Sequence, residues 1–323
     1  MSVLELRDLR VTYRTEGGPV PAVRGVNLTI ESGDTVGLAG ESGCGKSTIA
    51  AAVLRLLPKG TQVEGTVLLN GEDVYAMKPG RLRAVRWTGA AIVFQGALHS
   101  LNPVRRVGDQ IEEAIRLHRT VTGAAVGARV AELLERVGLQ GAHAERYPHQ
   151  MSGGQRQRVL IALALACEPT LLIADEPTTA LDVMVQAQVL ALLEELQRER
   201  GLSLLFITHD LSVLTSTCRR LAVMYAGRIV EEGPSVDVFA RPDHPYSAAL
   251  AAAFPTIGDS ASRMNPQGLA GDPPDPSALP GGCPFHPRCA RAVDECATND
   301  VALRVSGPGR RAACVHVKEA ADG

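Results

Sequence analysis

The chain has 323 residues, enough for one large or two modest domains, and its 45% hydrophobic content supports a substantial core. Lys and Arg total 33 against 35 Asp and Glu, a net charge of −2 that argues against a broad basic face for nucleic acid. The amino terminus lacks the basic-then-apolar build of a secretory signal, and the longest apolar stretch, Val159 to Cys167, is about half the roughly 20 residues of a membrane-spanning helix, so the expectation is a soluble, cytoplasmic chain that meets a membrane only through partners.

In chain order, Leu4–Val11 and Ala22–Ile30 read as strands near a sheet edge. Thr35–Ala39 is a short apolar strand that runs into Gly40-Glu41-Ser42-Gly43-Cys44-Gly45-Lys46-Ser47-Thr48, which fits the phosphate-loop pattern G-x-x-x-x-G-K-[ST]. Its glycines let the backbone curl so that successive N–H groups face one anionic centre, and the helix starting near Lys46 adds its positive end. Lys46 is expected to reach the β- and γ-phosphates of ATP and Ser47 to ligate Mg²⁺, while Cys44 contributes only backbone. The bland alternative is a chance glycine-rich turn, which the strand before and the predicted helix Lys46–Leu57 after it make poor.

Beyond Gln95 the pattern turns helical, with apolar residues at three- and four-residue spacing in Val107–His118 and Val126–Val137. Met151-Ser152-Gly153-Gly154-Gln155 precedes a predicted helix, Gln155–Ala166, so Ser152 and the N–H groups of Gly153 and Gly154 can bind anionic oxygen. Leu171–Ala174 reads as a buried parallel strand that ends on Asp175-Glu176, where ligands of parallel sheets bind. Asp175 fits a metal carboxylate and Glu176 a general base; two solvated acids in a turn is the weaker reading. A helix over Ala187–Arg200 and a strand over Ser203–Thr208 follow, the strand ending on His209, which taken alone is more readily structural than catalytic.

After Pro234 the character shifts. His244–Ala253 is still helical, but from Pro255 to Pro287 the chain is rich in Pro, Gly, Asp and Ser and reads as a linker. Cys283 to Val317 holds few large apolar residues, so a bound metal would supply what burial cannot. Of seven cysteines, Cys283, Cys289, Cys296 and Cys314 crowd this end; in a reducing cytosol that suggests a metal or iron–sulfur site over a disulfide framework. Their spacing is equivocal, matching neither the close pairs of zinc ribbons nor ferredoxin runs.

Met151–Gln155 looks like the signature loop of ATP-binding-cassette (ABC) ATPases, with Met in place of the usual Leu. That resemblance implies an α/β fold: an ABC-type P-loop nucleotide-binding domain over 1–254, with a RecA-like parallel sheet core, an antiparallel β subdomain and a helical signature subdomain near 96–166, then a linker and small four-cysteine tail domain over 255–323. It further implies that ATP is held between two chains, so Ser152, Gly153, Gly154 and Gln155 complete the site of a partner. Gln95 then matches the glutamine that meets Mg²⁺ with Ser47 and Asp175, His209 the histidine that touches the γ-phosphate, and Asp182 of Ala180-Leu181-Asp182 the loop that crosses to the partner. Tyr13 lies where an aromatic stacks on adenine, a plain strand tyrosine being the alternative.

Phe94-Gln95-Gly96-Ala97, Tyr147-Pro148-His149-Gln150-Met151-Ser152-Gly153-Gly154-Gln155, His244-Pro245-Tyr246-Ser247 and Gly282-Cys283-Pro284-Phe285-His286-Pro287-Arg288-Cys289 resemble the ATP-binding subunits of bacterial dipeptide/oligopeptide importers. The resemblance implies an ATP hydrolase at the cytoplasmic face of the cell membrane, working with a second ATPase subunit (a paralogue rather than an identical copy), two membrane permeases and an extracytoplasmic substrate-binding protein. It also implies a [4Fe-4S] cluster on the four tail cysteines, with zinc, free thiols or a redox disulfide as alternatives. Oligosaccharide or nickel cargo stays open, because Gly96-Ala97-Leu98-His99 departs from the acid-proline sequence often seen there. A soluble ABC protein acting on nucleic acid or ribosomes is disfavoured by the single cassette and near-neutral charge.

Overall fold

Two long strands, β1 (Ser2–Thr15) and β2 (Gly18–Glu31), open the chain, each extending beyond the apolar alternation that predicts it. The computed structural model describes residues 1–94, 100–118, 121–179, 181–253, 269 and 271–317, with the backbone alone of Arg200. β3 (Thr35–Ala39) is buried throughout and leads into α1 (Lys46–Val53). That helix stops earlier than Pro58 requires, because Leu54 leaves helical geometry and Arg55 sits at φ 50°. A left-handed residue reverses the chain and ends the i→i−4 ladder.

β4 (Gln62–Leu69), β5 (Glu72–Asp73), α2 (Pro79–Thr88) and β6 (Ala90–Val93) come next. α3 (Val107–His118) and α4 (Ala125–Arg136) bury Val107, Ile111 and Ile115 on one and Val130, Leu133 and Leu134 on the other, the stripes that their spacing predicts. α5 (Gly153–Ala164), β7 (Leu171–Asp175), α6 (Val183–Arg200) and β8 (Ser203–Thr208) carry the middle of the chain. α6 begins before the expected Ala187 because Asp182 caps it, its carboxylate accepting the Val185 N–H at 2.9 Å. α7 (Leu211–Thr217), β9 (Arg220–Tyr225), β10 (Arg228–Pro234), α8 (Ser235–Ala240), α9 (Pro245–Ala252), β11 (Arg304–Gly307) and β12 (Arg310–Ala312) complete the described elements.

The chain divides into two compact units, one of Met1–Leu4, Ile30–Asp34 and Leu68–Leu205, the other of Glu5–Thr29, Thr35–Val67 and Phe206–Gly323. In the first, β6 and β7 run parallel with Ala90 opposite Leu171 and Val93 opposite Ala174, and α3, α4 and α5 pack on one another. In the second, β2, β1 and β4 lie side by side, and β3 runs parallel to β9 with Ala39 opposite Val223. β9 turns back into β10 through Ala226 and Gly227, both at positive φ, as a tight hairpin requires. β12 then pairs antiparallel with β10, Glu231 opposite Ala312, so the tail contributes strands to the sheet that carries the phosphate loop. The rest of the described tail is irregular, with two short 3₁₀ turns at His286–Arg288 and Asp294–Ala297.

No helix among the described residues is long and apolar enough to cross a membrane.

Candidate functional site

In the second unit, β3 delivers the chain into the glycine loop. Gly40 has φ 152°, and a Cβ there would stand 2.2 Å from the Met224 carbonyl oxygen; at Gly45, φ 106°, it would stand 2.3 Å from that of Ala22. Both glycines are demanded by backbone conformation and by close backbone approach. Lys46 is only 5% exposed, and a buried ammonium needs acceptors. Its Nζ donates to the carbonyl oxygens of Gly40 at 2.7 Å and Glu41 at 2.8 Å, with Cys44 Sγ 3.6 Å away. The loop thus wraps its own lysine, and burial pushes the Cys44 thiol up from its ordinary value, which suits a packing role over a reactive one.

Ser47 is exposed in the first turn of α1. Tyr13 Oη lies 3.1 Å from Thr48 Oγ1, so the tyrosine ring is tied to that same turn. His209 is exposed just after β8, and Asp210 beside it caps α7, accepting from the N–H groups of Ser212 and Val213.

In the first unit, β7 is buried along its whole length and ends on Asp175. Glu176 follows at φ 47° and accepts a hydrogen bond from the Thr179 hydroxyl at 2.9 Å. A non-glycine residue in the left-handed region is uncommon, and here it turns the chain directly after a buried strand. Gln95 lies outside the described residues.

The Ser152 loop forms a reciprocal cap. The Gln155 N–H donates to Ser152 Oγ at 3.3 Å, and the Ser152 N–H donates to Gln155 Oε1 at 3.0 Å. This capping box pulls both glycines into α5, which therefore starts at Gly153 rather than Gln155. Gly154 faces α6: a Cβ there would be 2.4 Å from Val185 Cγ1.

The structure adds groups that residue spacing does not reveal. Glu41 is held from two sides by carboxyl-terminal residues: its N–H donates to Tyr246 Oη at 2.8 Å, and its carboxylate accepts both arms of the Arg288 guanidinium at 2.7 and 3.0 Å. Arg288 also donates to Tyr225 Oη at 3.3 Å. The hydrogen bonds to Glu41 hold Arg288 above its ordinary range. Glu41 and Arg288 are 247 positions apart, and the sole signal in the sequence is that each belongs to a motif the other does not explain.

The four tail cysteines line one small cavity together with Phe285, His286 and His316, and all are free thiols. The Cys283 N–H donates to the Cys296 carbonyl at 2.8 Å, and burial pushes the thiols of Cys283 and Cys314 up. Yet among the described residues no group of three or more His, Cys, Asp or Glu stands where it could hold a metal ion. The expected metal set is therefore gathered around a cavity but not closed into a coordination shell.

The family described as "ABC transporter" matches residues 23–179, and "Oligopeptide/dipeptide transporter, C-terminal region" matches residues 230–296. The chain is 44% identical over 314 residues to the oligopeptide transport ATP-binding protein OppD of Salmonella typhimurium, covering 97% of this chain and 93% of that one. It is 42% identical to OppD of Escherichia coli over 97% of this chain and 93% of that one, and 44% identical to a putative peptide import ATP-binding protein of Brucella abortus over 97% and 94%. Among solved structures, the dimeric ATP-binding cassette MJ0796 bound to ADP and Pi superposes with a TM-score of 0.65 at 30% identity, covering 72% of this chain and 98% of that one.

Proposed function

The chain belongs to the ABC-transporter ATP-binding proteins of the oligopeptide/dipeptide type, and from that premise we propose that it is the ATP-hydrolysing motor of a peptide importer. The observation that carries this reading is the extent of the likeness to OppD, which spans 97% of the chain, tail included.

The residues supply positioning and electrostatics, which is most of what phosphoryl transfer asks of a protein. The loop Gly40–Thr48 cradles phosphates with backbone N–H groups, Lys46 exchanges its loop carbonyls for phosphate oxygens, and Ser47, Gln95 and Asp175 offer the hard oxygen donors that Mg²⁺ takes. When bound, Mg²⁺ neutralises phosphate charge. Glu176 orients and deprotonates the attacking water, and His209 meets the γ-phosphate. Ser152, Gly153, Gly154 and Gln155 present an N-terminal helix turn to the nucleotide of a neighbouring subunit, and Asp182 stands on the loop toward that neighbour.

The finer organisation belongs to the same proposal. The ATPase domain is read over 1–254 and the linker and tail domain over 255–323. The partner ATPase is a paralogue, two permeases receive the motor's stroke, and a substrate-binding protein delivers peptide from outside; the chain sits peripherally on the cytoplasmic face.

For the tail, the convergence of four thiols on one cavity supports a thiolate-held centre, a [4Fe-4S] cluster with zinc as the alternative. Charge-transfer absorbance and bound iron after anaerobic purification, both lost in Cys289→Ser, would support the cluster. A colourless, iron-free protein of full activity would overturn it.

The central experiment is Glu176→Gln in the reconstituted transporter. ATP binding is kept while hydrolysis falls by about 10²–10⁴. Unchanged turnover would remove Glu176 from the base role.

A further inference from the structure

We propose that Arg288, in the tail, is a positioning residue for the phosphate loop and sets ATP affinity through Glu41. The inference rests on the ATP-binding role of that loop and adds a residue far outside it.

Glu41 is the first residue after Gly40, and three of its groups are engaged at once. Its carbonyl oxygen accepts from Lys46 Nζ, its N–H donates to Tyr246 Oη, and its carboxylate is gripped by Arg288. The side-chain anchor and the two main-chain anchors fix Glu41 and the peptide units on either side of it at the entry of the loop. A guanidinium suits this job because its planar fork meets a carboxylate with two parallel bonds.

The anchor itself is closely packed. Arg288 is 7% and Glu41 20% exposed at the side chain, so the pair is partly withdrawn from water. The guanidinium carbon lies 5.9 Å from the Tyr225 ring centroid and 6.0 Å from that of Phe285. Phe285 packs edge-on against both Tyr225 and Tyr246, each at 5.3 Å between centroids. Arg288 stands on a 3₁₀ turn, His286–Arg288, where the Arg288 N–H donates to the Phe285 carbonyl at 3.0 Å. Three aromatic rings and one cation thus form a post with the loop tied to its tip.

A loop held in one conformation loses less freedom when it binds phosphate, so the post acts on affinity. The Glu41 carboxylate is taken up by Arg288 and has no part in the chemistry assigned above to Glu176 and His209, so the maximal rate should not follow. A purely structural tail residue would shift stability and leave the affinity alone.

The test uses the full-length chain with trinitrophenyl-ATP as the probe, and KM and kcat for ATP in the reconstituted transporter. Arg288→Met, which keeps the aliphatic packing, should weaken probe binding and raise KM about tenfold, with kcat within about twofold. Arg288→Lys, which lacks the fork, should recover part of the loss. Glu41→Gln should match Arg288→Met, and the double variant should be no worse than either, because both break one interaction. Additive losses in the double variant, or a fall in kcat with KM unchanged, would overturn the proposal. Should Arg288→Met fold poorly, the near-isosteric Glu41→Gln carries the test, and wild-type affinity there would be equally fatal. Lys46→Ala separates the two levels: lost binding there beside unchanged binding in Arg288→Met overturns the positioning role alone, whereas wild-type binding in Lys46→Ala overturns the loop's nucleotide role and this proposal with it.

Discussion

The hydroxyl of Tyr13 meets that of Thr48 at 3.1 Å, tying a strand residue to the helix turn that follows the phosphate loop. The bond fixes the ring edge and leaves its face to the environment. Removing the hydroxyl and removing the ring are therefore separable. Tyr13→Phe should lower stability by about 1 kcal/mol, the net worth of one hydrogen bond, with ATP affinity kept. Tyr13→Ala should lose roughly two- to tenfold in ATP affinity if the ring stacks on adenine. Equal affinities for the two variants would reduce Tyr13 to a strand residue.

Ser152 caps α5, and the proposed function gives it a second role that one substitution confounds with the cap and another splits from it. Ser152→Ala removes the cap of α5, costing about 1 kcal/mol, and also the hydroxyl that the proposed function assigns to a partner's nucleotide. Ser152→Asp restores the cap but presents negative charge to phosphate. Thermal unfolding should therefore recover in Ser152→Asp while ATPase activity in the transporter stays low. Recovery of both would confine Ser152 to capping.

Gly154 tests the packing behind the signature turn. A methyl group there would stand 2.4 Å from Val185 Cγ1, so Gly154→Ala should destabilise by about 1–3 kcal/mol. Val185→Ala opens the space, and the double variant should regain most of the loss. Chemical denaturation of the four proteins measures the coupling, and a strictly additive double would refute the contact.

His244 ties stability to pH. It is 2% exposed, and its Nδ1 accepts the Tyr246 N–H at 3.0 Å, capping α9. An acceptor nitrogen cannot carry a proton, and burial lowers the His244 value to about 4 from 6.5. The unfolded chain therefore binds the extra proton first, and folding stability is complete above about 6.5 and lost as pH falls toward 4. The upper limit is about 3 kcal/mol. His244→Asn, a capping residue that does not titrate, should flatten the melting profile across that window. An unaltered slope would place the acid sensitivity elsewhere.

Much of the architecture was legible because local chemistry and tertiary demand agree. β3 and β7 are unbroken apolar runs, and each leads directly into a motif of fixed spacing, the glycine–lysine loop in one case and Asp175-Glu176 in the other. Helix ends were less legible. α1 stops at a left-handed Arg55 that no propensity announces, and α5 and α6 begin early because Ser152 and Asp182 capture their first turns. Least legible was the hold on Glu41: an acid in a loop has many available cations, and only the packing of Phe285 against Tyr225 and Tyr246 selects Arg288.

The pairing of β12 along β10 has a practical reach. Cutting the chain after α9 would strip Ala312 and Arg311 from Glu231 and Glu232 and leave the Val230 carbonyl without the Ala313 N–H it now accepts. Uncovered strand margins recruit one another. A minimal cassette trimmed to the ATPase motifs should consequently self-associate more readily than the full chain.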